Sequence, residues 1–309
     1  MSSWEEFYAK SSKPSDLDKN ENLLKKFVEH HIQQKNYIVL VTSGGTTVPL
    51  EHNTVRFVDN FSAGNRGAIS AEYFLDHGYA VIFMHRTKSL EPFSRHFSGR
   101  KILDMLNLSI EKDVPSISVA PQYVNETAVI LKKYKEALDK NKLLQISFTT
   151  LSEYLWLLQS TCKTLAPVGN RAVLYLAAAV SDFYIPASEM AVHKIPSDDP
   201  LAINLKLVPK MLKPLVNSWV PKAFVVSFKL ETDDDILVSK ALAALNKYNH
   251  NLVIANNLQT RRRRVIVVSK KCFETLTLSE KQRKNGEEIE KLIVSDLVEK
   301  HQEWISSAD

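Results

Sequence analysis

The sequence predicts an α/β fold, and two patterns carry that prediction. Short apolar runs rich in β-branched residues, "YIVLV", "AVIFM", "LLQISF", "AVLYLAAAV", "AFVVSF", "NLVIAN" and "RVIVVS", recur between longer amphipathic segments. Such alternation builds a mostly parallel sheet with helices on both faces. Two further runs, "AINLKL" and "TLTLS", alternate strictly between apolar and polar residues, as half-exposed strands do, and predict an antiparallel strand addition to that sheet.

Residues 16–34 place Leu17, Leu24, Phe27, Val28 and Ile32 near one helical face, so the chain opens with a helical segment over about residues 1–36. The buried-type strand "YIVLV" follows. "SAGNRGAISAEYFLDHG" begins among small residues and ends at Gly78, a C-cap position. "NETAVILKKYKEALDKN" has helical spacing with Asn125 as its cap, and in "ETDDDILVSKALAALNKYNHN" Thr232, Asp233, Asp234 and Asp235 suit a helix start. A long helical tail, "EKQRKNGEEIEKLIVSDLVEKHQEW", packs on a sheet face. No repeat or low-complexity linker interrupts the pattern, so residues 1–309 read as a single nucleotide-binding domain with a Rossmann-like central sheet.

Hydrophobic residues make up 44% of the chain, enough for a sizeable core. No apolar run reaches the roughly 18 residues a membrane span needs, and "MSSWEEFYAK" lacks a basic end followed by an apolar stretch, so the expectation is a cytoplasmic protein without a membrane partner. Two cysteines make neither a disulfide framework nor a four-ligand zinc site. Cys162 and Cys272 both read as small buried hydrophobes. The net charge of +5 suits phosphorylated substrates or nucleic acid. The run Arg261 to Arg264 reads as a solvated turn, because no aromatic residues interleave with it for base stacking. No nucleic-acid-binding motif appears, so no nucleic-acid partner is expected. The three aspartates read as caps, and no protein metal site is predicted.

Four of the eight glycines, Gly44, Gly45, Gly64 and Gly67, fall within "VTSGGTTVPLEHNTVRFVDNFSAGNRG". The first pair follows a strand, at the sheet edge where ligands of open α/β folds bind. The second opens a helix, whose unpaired N–H groups and dipole favour phosphate, with glycine removing the side chain that would block contact. Both the phosphate-loop motif and G-x-G-x-x-G are absent. The residues alone thus point to an α/β protein that binds a nucleotide of unspecified kind.

Read together, "VTSGGTTVPLEHNTVRFVDNFSAGNRG", "YLAAAVSDFYIP", "HKIPS", "VSFKLETD" and "VIAN" stand in the order seen in phosphopantothenoylcysteine synthetases, which the chain resembles over residues 37–269. The stand-alone eukaryotic members are the nearer likeness, with no fused decarboxylase domain. The resemblance implies ligation of 4'-phosphopantothenate with L-cysteine in coenzyme A synthesis. In that chemistry the acid attacks the α-phosphorus of a nucleoside triphosphate, and the cysteine amine then displaces the nucleotide from the acyl intermediate. It further implies ATP as substrate, with CTP the other possibility, Mg2+ held mainly by phosphate oxygens and water, and a homodimer whose pantothenate pocket the other subunit completes.

By matching motifs, the resemblance gives nucleotide-binding roles to Gly44, Ser62, Gly64, Gly67, Phe228 and Asn256. It gives the substrate wall to Ala178, Ala179 and Asp182. Asn60 meets the substrate carboxyl and the acyl intermediate, and Lys194, on a mobile loop, neutralises phosphate charge; these two are the catalytic candidates. His193 reads as structural or solvated. Two other readings stay open from composition and fold class: an NAD(P)-binding oxidoreductase, and a non-catalytic basic binding module using Arg261 to Arg264.

Overall fold

A computed structural model describes residues 3–97, 101–111, 113–198 and 201–307. Helices α1 (Ser3–Lys10) and α2 (Leu17–Gln33) precede strand β1 (Ile38–Ser43). A short antiparallel hairpin, β2 (Thr47–Pro49) with β3 (Phe57–Asp59), separates β1 from helix α3 (Asn65–Asp76). There follow β4 (Ala80–Arg86), the one-turn α4 (Lys101–Asp104), a hairpin of β5 (Leu106–Glu111) and β6 (Val114–Val119), α5 (Val124–Asp139), β7 (Leu143–Phe148), α6 (Leu151–Leu165) and β8 (Ala172–Leu176). The two-residue strands β9 (Phe183–Tyr184) and β10 (Lys206–Leu207) pair with each other before the short turn α7 (Leu212–Pro214). The chain then runs through β11 (Phe224–Glu231), α8 (Leu237–Tyr248), β12 (Leu252–Asn257), β13 (Arg264–Val268), β14 (Phe273–Thr277), α9 (Glu280–Lys284) and α10 (Ile289–Ser306).

The central sheet has eight strands in the order β14-β13-β12-β11-β8-β1-β4-β7. Pairing is parallel from β12 through β7 and antiparallel at β13 and β14. The chain builds outward from β1 to β4 and β7, then returns to the other side of β1 at β8. The order of strands therefore switches between β1 and β8, and their carboxyl ends diverge around a crevice. Every residue of β1 is buried, because helices cover both faces. On one face α2 and α6 bring Leu24, Phe27, Leu155 and Leu158; on the other, α3 and α10 bring Phe74, Ile293 and Leu297. Helix α8 seals β12 and β13 with Leu237, Ala241 and Leu245.

Several local expectations are corrected. Asn125 is not the cap of α5: the helix begins one residue earlier, at Val124, after a tight turn opened by Pro121. The aspartates precede α8 rather than forming its first turn, and Asp233 accepts a hydrogen bond from the Asp235 N–H. Only Lys206 and Leu207 of "AINLKL" form a strand, because the facing segment offers just Phe183 and Tyr184. The C-terminal tail is two helices, broken at Gly286, whose φ of +72° leaves the helical region. Cys162 is buried as expected, but Cys272 is exposed, in the turn between β13 and β14 where it bonds with Ser269. The residues from Arg261 to Arg263 do form a turn, between β12 and β13. Among the described residues no helix is long and apolar enough to cross a membrane.

The first turn of α3 presses against β1. A methyl group on Gly67 would lie 2.4 Å from both Cβ and Oγ of Ser43, so Gly67→Ala is expected to destabilise the protein by about 1–3 kcal/mol in urea unfolding, despite alanine's better helix propensity. Farther along α3, Glu72 accepts hydrogen bonds from Arg95 and from the Phe93 N–H and meets His96, while Arg95 also reaches Glu288 at the start of α10. Burial opposes the charge on Glu72, but the His96 and Arg95 hydrogen bonds, the guanidinium charge and the Phe93 amide outweigh it and hold the carboxyl at about 2. A carboxyl lowered on folding stabilises above its unfolded value and loses that contribution as pH falls through the folded one. Stability should therefore decline between about pH 4.5 and 2, by up to about 3 kcal/mol from this group. Urea titrations across that window should show a flatter pH dependence for Glu72→Gln.

Candidate functional site

The crevice is made by backbone brought unusually close. Gly44 takes a φ of +83°, and a methyl on Gly45 would fall 1.9 Å from the Asn60 carbonyl oxygen. Across the crevice, the Ala179 N–H donates to the Gly44 carbonyl at 2.8 Å, and the Thr46 N–H returns a bond to Ala179 at 3.1 Å. The Thr42 hydroxyl accepts from the Ala178 N–H, the Thr46 hydroxyl accepts from the Ser181 N–H, and the Thr46 carbonyl accepts from the Asn60 N–H. Gly44, Asn60, Ala178 and Ala179, predicted from separate motifs, thus meet in one place. "AVLYLAAAV" is a strand only to Leu176; its alanines lie beyond the strand, in this crevice wall.

Gly64, at φ +83°, is the N-cap of α3, and no side chain caps that helix. The Ser43 hydroxyl donates to its carbonyl at 3.0 Å, fixing the helix start over the end of β1. Gly67 occupies the third helical position, and Ser62 lies half-buried in the loop before the helix. The sequence reading had glycine clearing space for phosphate. At Gly45 and Gly67 that space is filled by the chain's own atoms, so those glycines serve the close packing itself. The uncapped N-terminal amides of α3 remain the feature that suits an anion.

A cavity of about 530 Å³, a size suited to a small-molecule ligand, opens between α6 and α8 and is lined by Ala178, Asp182 and Phe228. Its floor is apolar, including Leu155, Leu176 and Leu215, while four lysines, Lys210, Lys229, Lys240 and Lys247, border it. Asp182 is paired with Lys210 at 2.6 Å, and Glu231 with both Lys229 and Lys240. The Phe228 ring stands edge-on to Tyr175, centroids 4.9 Å apart.

Asn256 is the penultimate residue of β12, where its side chain is held rather than loose. Its Oδ1 accepts from Arg66 at 3.1 Å and its Nδ2 donates to the Ile254 carbonyl. Arg66, from the first turn of α3, also donates to Glu290 at 2.8 Å and to the Arg261 carbonyl. Burial raises the Glu290 carboxyl, with the Arg66 charge opposing. Sequence reasoning passed over Arg66, although it stands inside the glycine motif.

Lys194 lies exposed in a segment strapped to residues 51–56. His52 and Asn53 donate backbone bonds to Ala191 and Val192, and the wholly buried Glu51 accepts from the N–H groups of Val55, Arg56 and Ile195 and from the Arg56 guanidinium. Burial alone would raise the Glu51 carboxyl; these donors together keep it below its ordinary value. Glu51 and Arg56 were not singled out from sequence, where they look like hairpin surface. Another unforeseen residue is Ser89: its buried hydroxyl has no partner among the described residues and would lie 3.2 Å from a methyl group placed on either Gly44 or Gly64.

Comparison with known proteins places this architecture. Residues 158–301 match the family model described as the DNA/pantothenate metabolism flavoprotein C-terminal domain. The chain is 45% identical to the phosphopantothenate–cysteine ligase of Mus musculus, covering 96% of each chain. It is 46% identical to that of Homo sapiens over 88% of each, and 41% identical to CAB2 of Saccharomyces cerevisiae over 98% of this chain and 87% of the relative. A solved structure of a Cab2 variant in complex with phosphopantothenate-cysteine superposes with a TM-score of 0.89 at 42% identity, covering 98% of this chain and 99% of that one. Similarity of this extent leaves no part of the crevice outside the shared fold, and the chain belongs to the phosphopantothenate–cysteine ligase family.

Proposed function

We infer that this protein joins 4'-phosphopantothenate to L-cysteine in coenzyme A biosynthesis, using ATP and passing through an acyl-adenylate, with release of AMP and pyrophosphate. The observation that carries the reading is the meeting of Gly44, Asn60, Ala178 and Ala179 at the β1–β8 switch point, in a chain with near-full-length likeness to ligases of that name.

A carboxylate resists amine attack because its charge and resonance oppose it, so activation comes first. The amides at the start of α3, with Gly44, Ser62 and Gly64, receive the triphosphate, while Gly67 seats that helix start against Ser43 of β1; Phe228 and Asn256 flank the nucleoside. Donors of this neutral kind stabilise phosphate oxygens without cancelling their charge, so magnesium enters with the nucleotide, bound to phosphate oxygens and water. Ala178, Ala179 and Asp182 wall the acid substrate. The Asn60 amide offers a neutral donor to its carboxyl, and Lys194 supplies a mobile-ended ammonium for charge that accumulates on phosphate. Catalysis then rests on positioning and charge placement more than on a covalent nucleophile.

ATP is taken here over CTP, as the motif resemblance implies, and the site of action is the cytoplasm. A homodimer completes the pocket in this reading. Its support is the apolar surface beside the crevice: Phe61, within the "DNFSAG" motif, is 97% exposed, and Val55, Phe57 and Val58 are exposed on the neighbouring hairpin. The oxidoreductase reading has less support, since β4 ends in His85 and Arg86 and the Arg86 guanidinium is engaged by Asp59.

Incubation with 4'-phosphopantothenate, cysteine, Mg2+ and ATP should yield AMP and pyrophosphate in step with the amide product. ADP and phosphate would instead indicate an acyl-phosphate route. Asn60→Asp, which sets a negative charge beside a carboxylate, should lower turnover at least about tenfold, roughly 1.4 kcal/mol in the barrier; unchanged steady-state turnover would remove Asn60 from the site.

A further inference from the structure

One polar pair at the cavity is unaccounted for by any role given so far. Ser227, on β11 between Leu176 of β8 and Val253 of β12, lines the cavity wall. Its Oγ lies 2.8 Å from Nε2 of His250, which sits between α8 and β12 and is 4% exposed. The other ring nitrogen of His250, Nδ1, is buried without a hydrogen-bond partner among the described residues. Burial, with the charge of Lys270 adding to it, lowers the imidazole to about 4, so the ring is neutral at physiological pH and carries one proton.

Where that proton resides follows from the orphaned nitrogen. A proton on Nδ1 would leave a buried N–H with nothing to donate to, the kind of group that folded proteins almost never contain. On Nε2 it is satisfied, donating to the Ser227 oxygen, and the unmet group is only a lone pair on Nδ1. With its oxygen accepting from His250, the serine hydroxyl keeps its own hydrogen free. The residue lines the cavity, so that hydrogen has the cavity as its outlet. The reverse polarity would make Ser227 donate to the ring and present no proton to a ligand.

We propose that Ser227 is a substrate-binding donor in the cavity, with His250 as the positioning residue that fixes its polarity, and that its partner is an oxygen of the acid substrate. The assignment rests on the ligase reading above. The acid substrate fits the surroundings: a branched hydrocarbon for the floor at Leu155, Leu176 and Leu215, and a phosphate for the lysine border. Free cysteine is too small to span these features, the triphosphate belongs to the amides of α3, and the nucleoside goes with the Phe228 ring, which packs against Tyr175 on the opposite face of the sheet from Leu155, Leu176 and Leu215.

Steady-state kinetics with each of the three substrates varied in turn tests the assignment. Ser227→Ala should raise KM for 4'-phosphopantothenate about five- to tenfold, the loss of one neutral hydrogen bond, with kcat, KM for ATP and KM for cysteine within about twofold of the unaltered protein. His250→Leu should shift the same single parameter, and the double variant should be no worse than either alone, since both remove one coupled interaction. His250→Gln, which can place an N–H near the position of Nε2, should recover most of the loss. An unchanged KM for the acid in Ser227→Ala would overturn the proposal. So would a rise in all three KM values together, which marks a structural role, or loss of turnover at unaltered KM, which marks a nucleophile. Absence of ligation by the unaltered protein would sink the ligase reading and this assignment together, whereas normal ligation with an indifferent Ser227 would sink this assignment alone.

Discussion

Strand β1 and helix α3 approach each other at a distance that a side chain would forbid, and the rest of the site depends on that steric constraint. Gly67 rests on Ser43, and Gly45 passes beneath the Asn60 carbonyl. The contact sets the uncapped start of α3 directly over the carboxyl end of β1, while the Ser43 hydroxyl pins the Gly64 carbonyl. It also brings Asn60 down to the level of the alanine wall that follows β8. Glycine costs backbone entropy on folding, which explains why a chain with few glycines concentrates them where backbone must meet backbone.

The elements that read well from sequence were those whose burial matches a simple period. β1, β4, β8 and β12 are buried strands that each begin with a continuous apolar run, and the antiparallel edge at β14 was legible in the alternation of "TLTLS". Strict alternation misled at "AINLKL", because a strand needs a partner of equal length and β9 supplies two residues. The hairpins β2–β3 and β5–β6 went unread. Much of their apolar content, Phe57, Leu108, Ile110 and Ile117 among it, faces outward, so burial did not shape their pattern. Cys272 failed for a related reason, since following an apolar run does not place a residue inside.

Within the site, local motifs were visible and long-range partners were not. The clustered glycines signalled a crevice by themselves. The role of Arg66 did not, because its ionic partner Glu290 lies 224 positions along the chain. Ser227 and His250 were equally silent: one serine in a strand and one histidine after a helix carry no pattern until β11 and β12 are laid side by side. Glu51 looks like a hairpin surface charge until the segment ending at Ile195 is seen folded over it.

The two groups of cations differ in what they can do for an anionic ligand. Arg66 and Glu290 are largely withdrawn from water, with side chains 16% and 9% exposed, so separating them would leave a buried charge without its counterpart, a penalty of several kcal/mol. That pair holds fixed the geometry of Asn256 and the start of α3. Lys229 and Lys240, 38% and 46% exposed, share Glu231, itself 14% exposed, so each ammonium keeps contact with water and either one can leave while the other still pairs the carboxylate. These lysines can therefore turn toward a phosphate more readily than Arg66 can leave Glu290. The site therefore has a rigid side, where neutral amides and an immobile guanidinium define position, and a compliant side, where ammonium groups follow the charge of whatever enters. On the function proposed above, a ligase that holds a triphosphate in line while a phosphorylated acid enters and a longer phosphorylated amide leaves needs both. Rigid donors favour the transition state, and loosely committed lysines keep the product from being bound as tightly as the reacting complex.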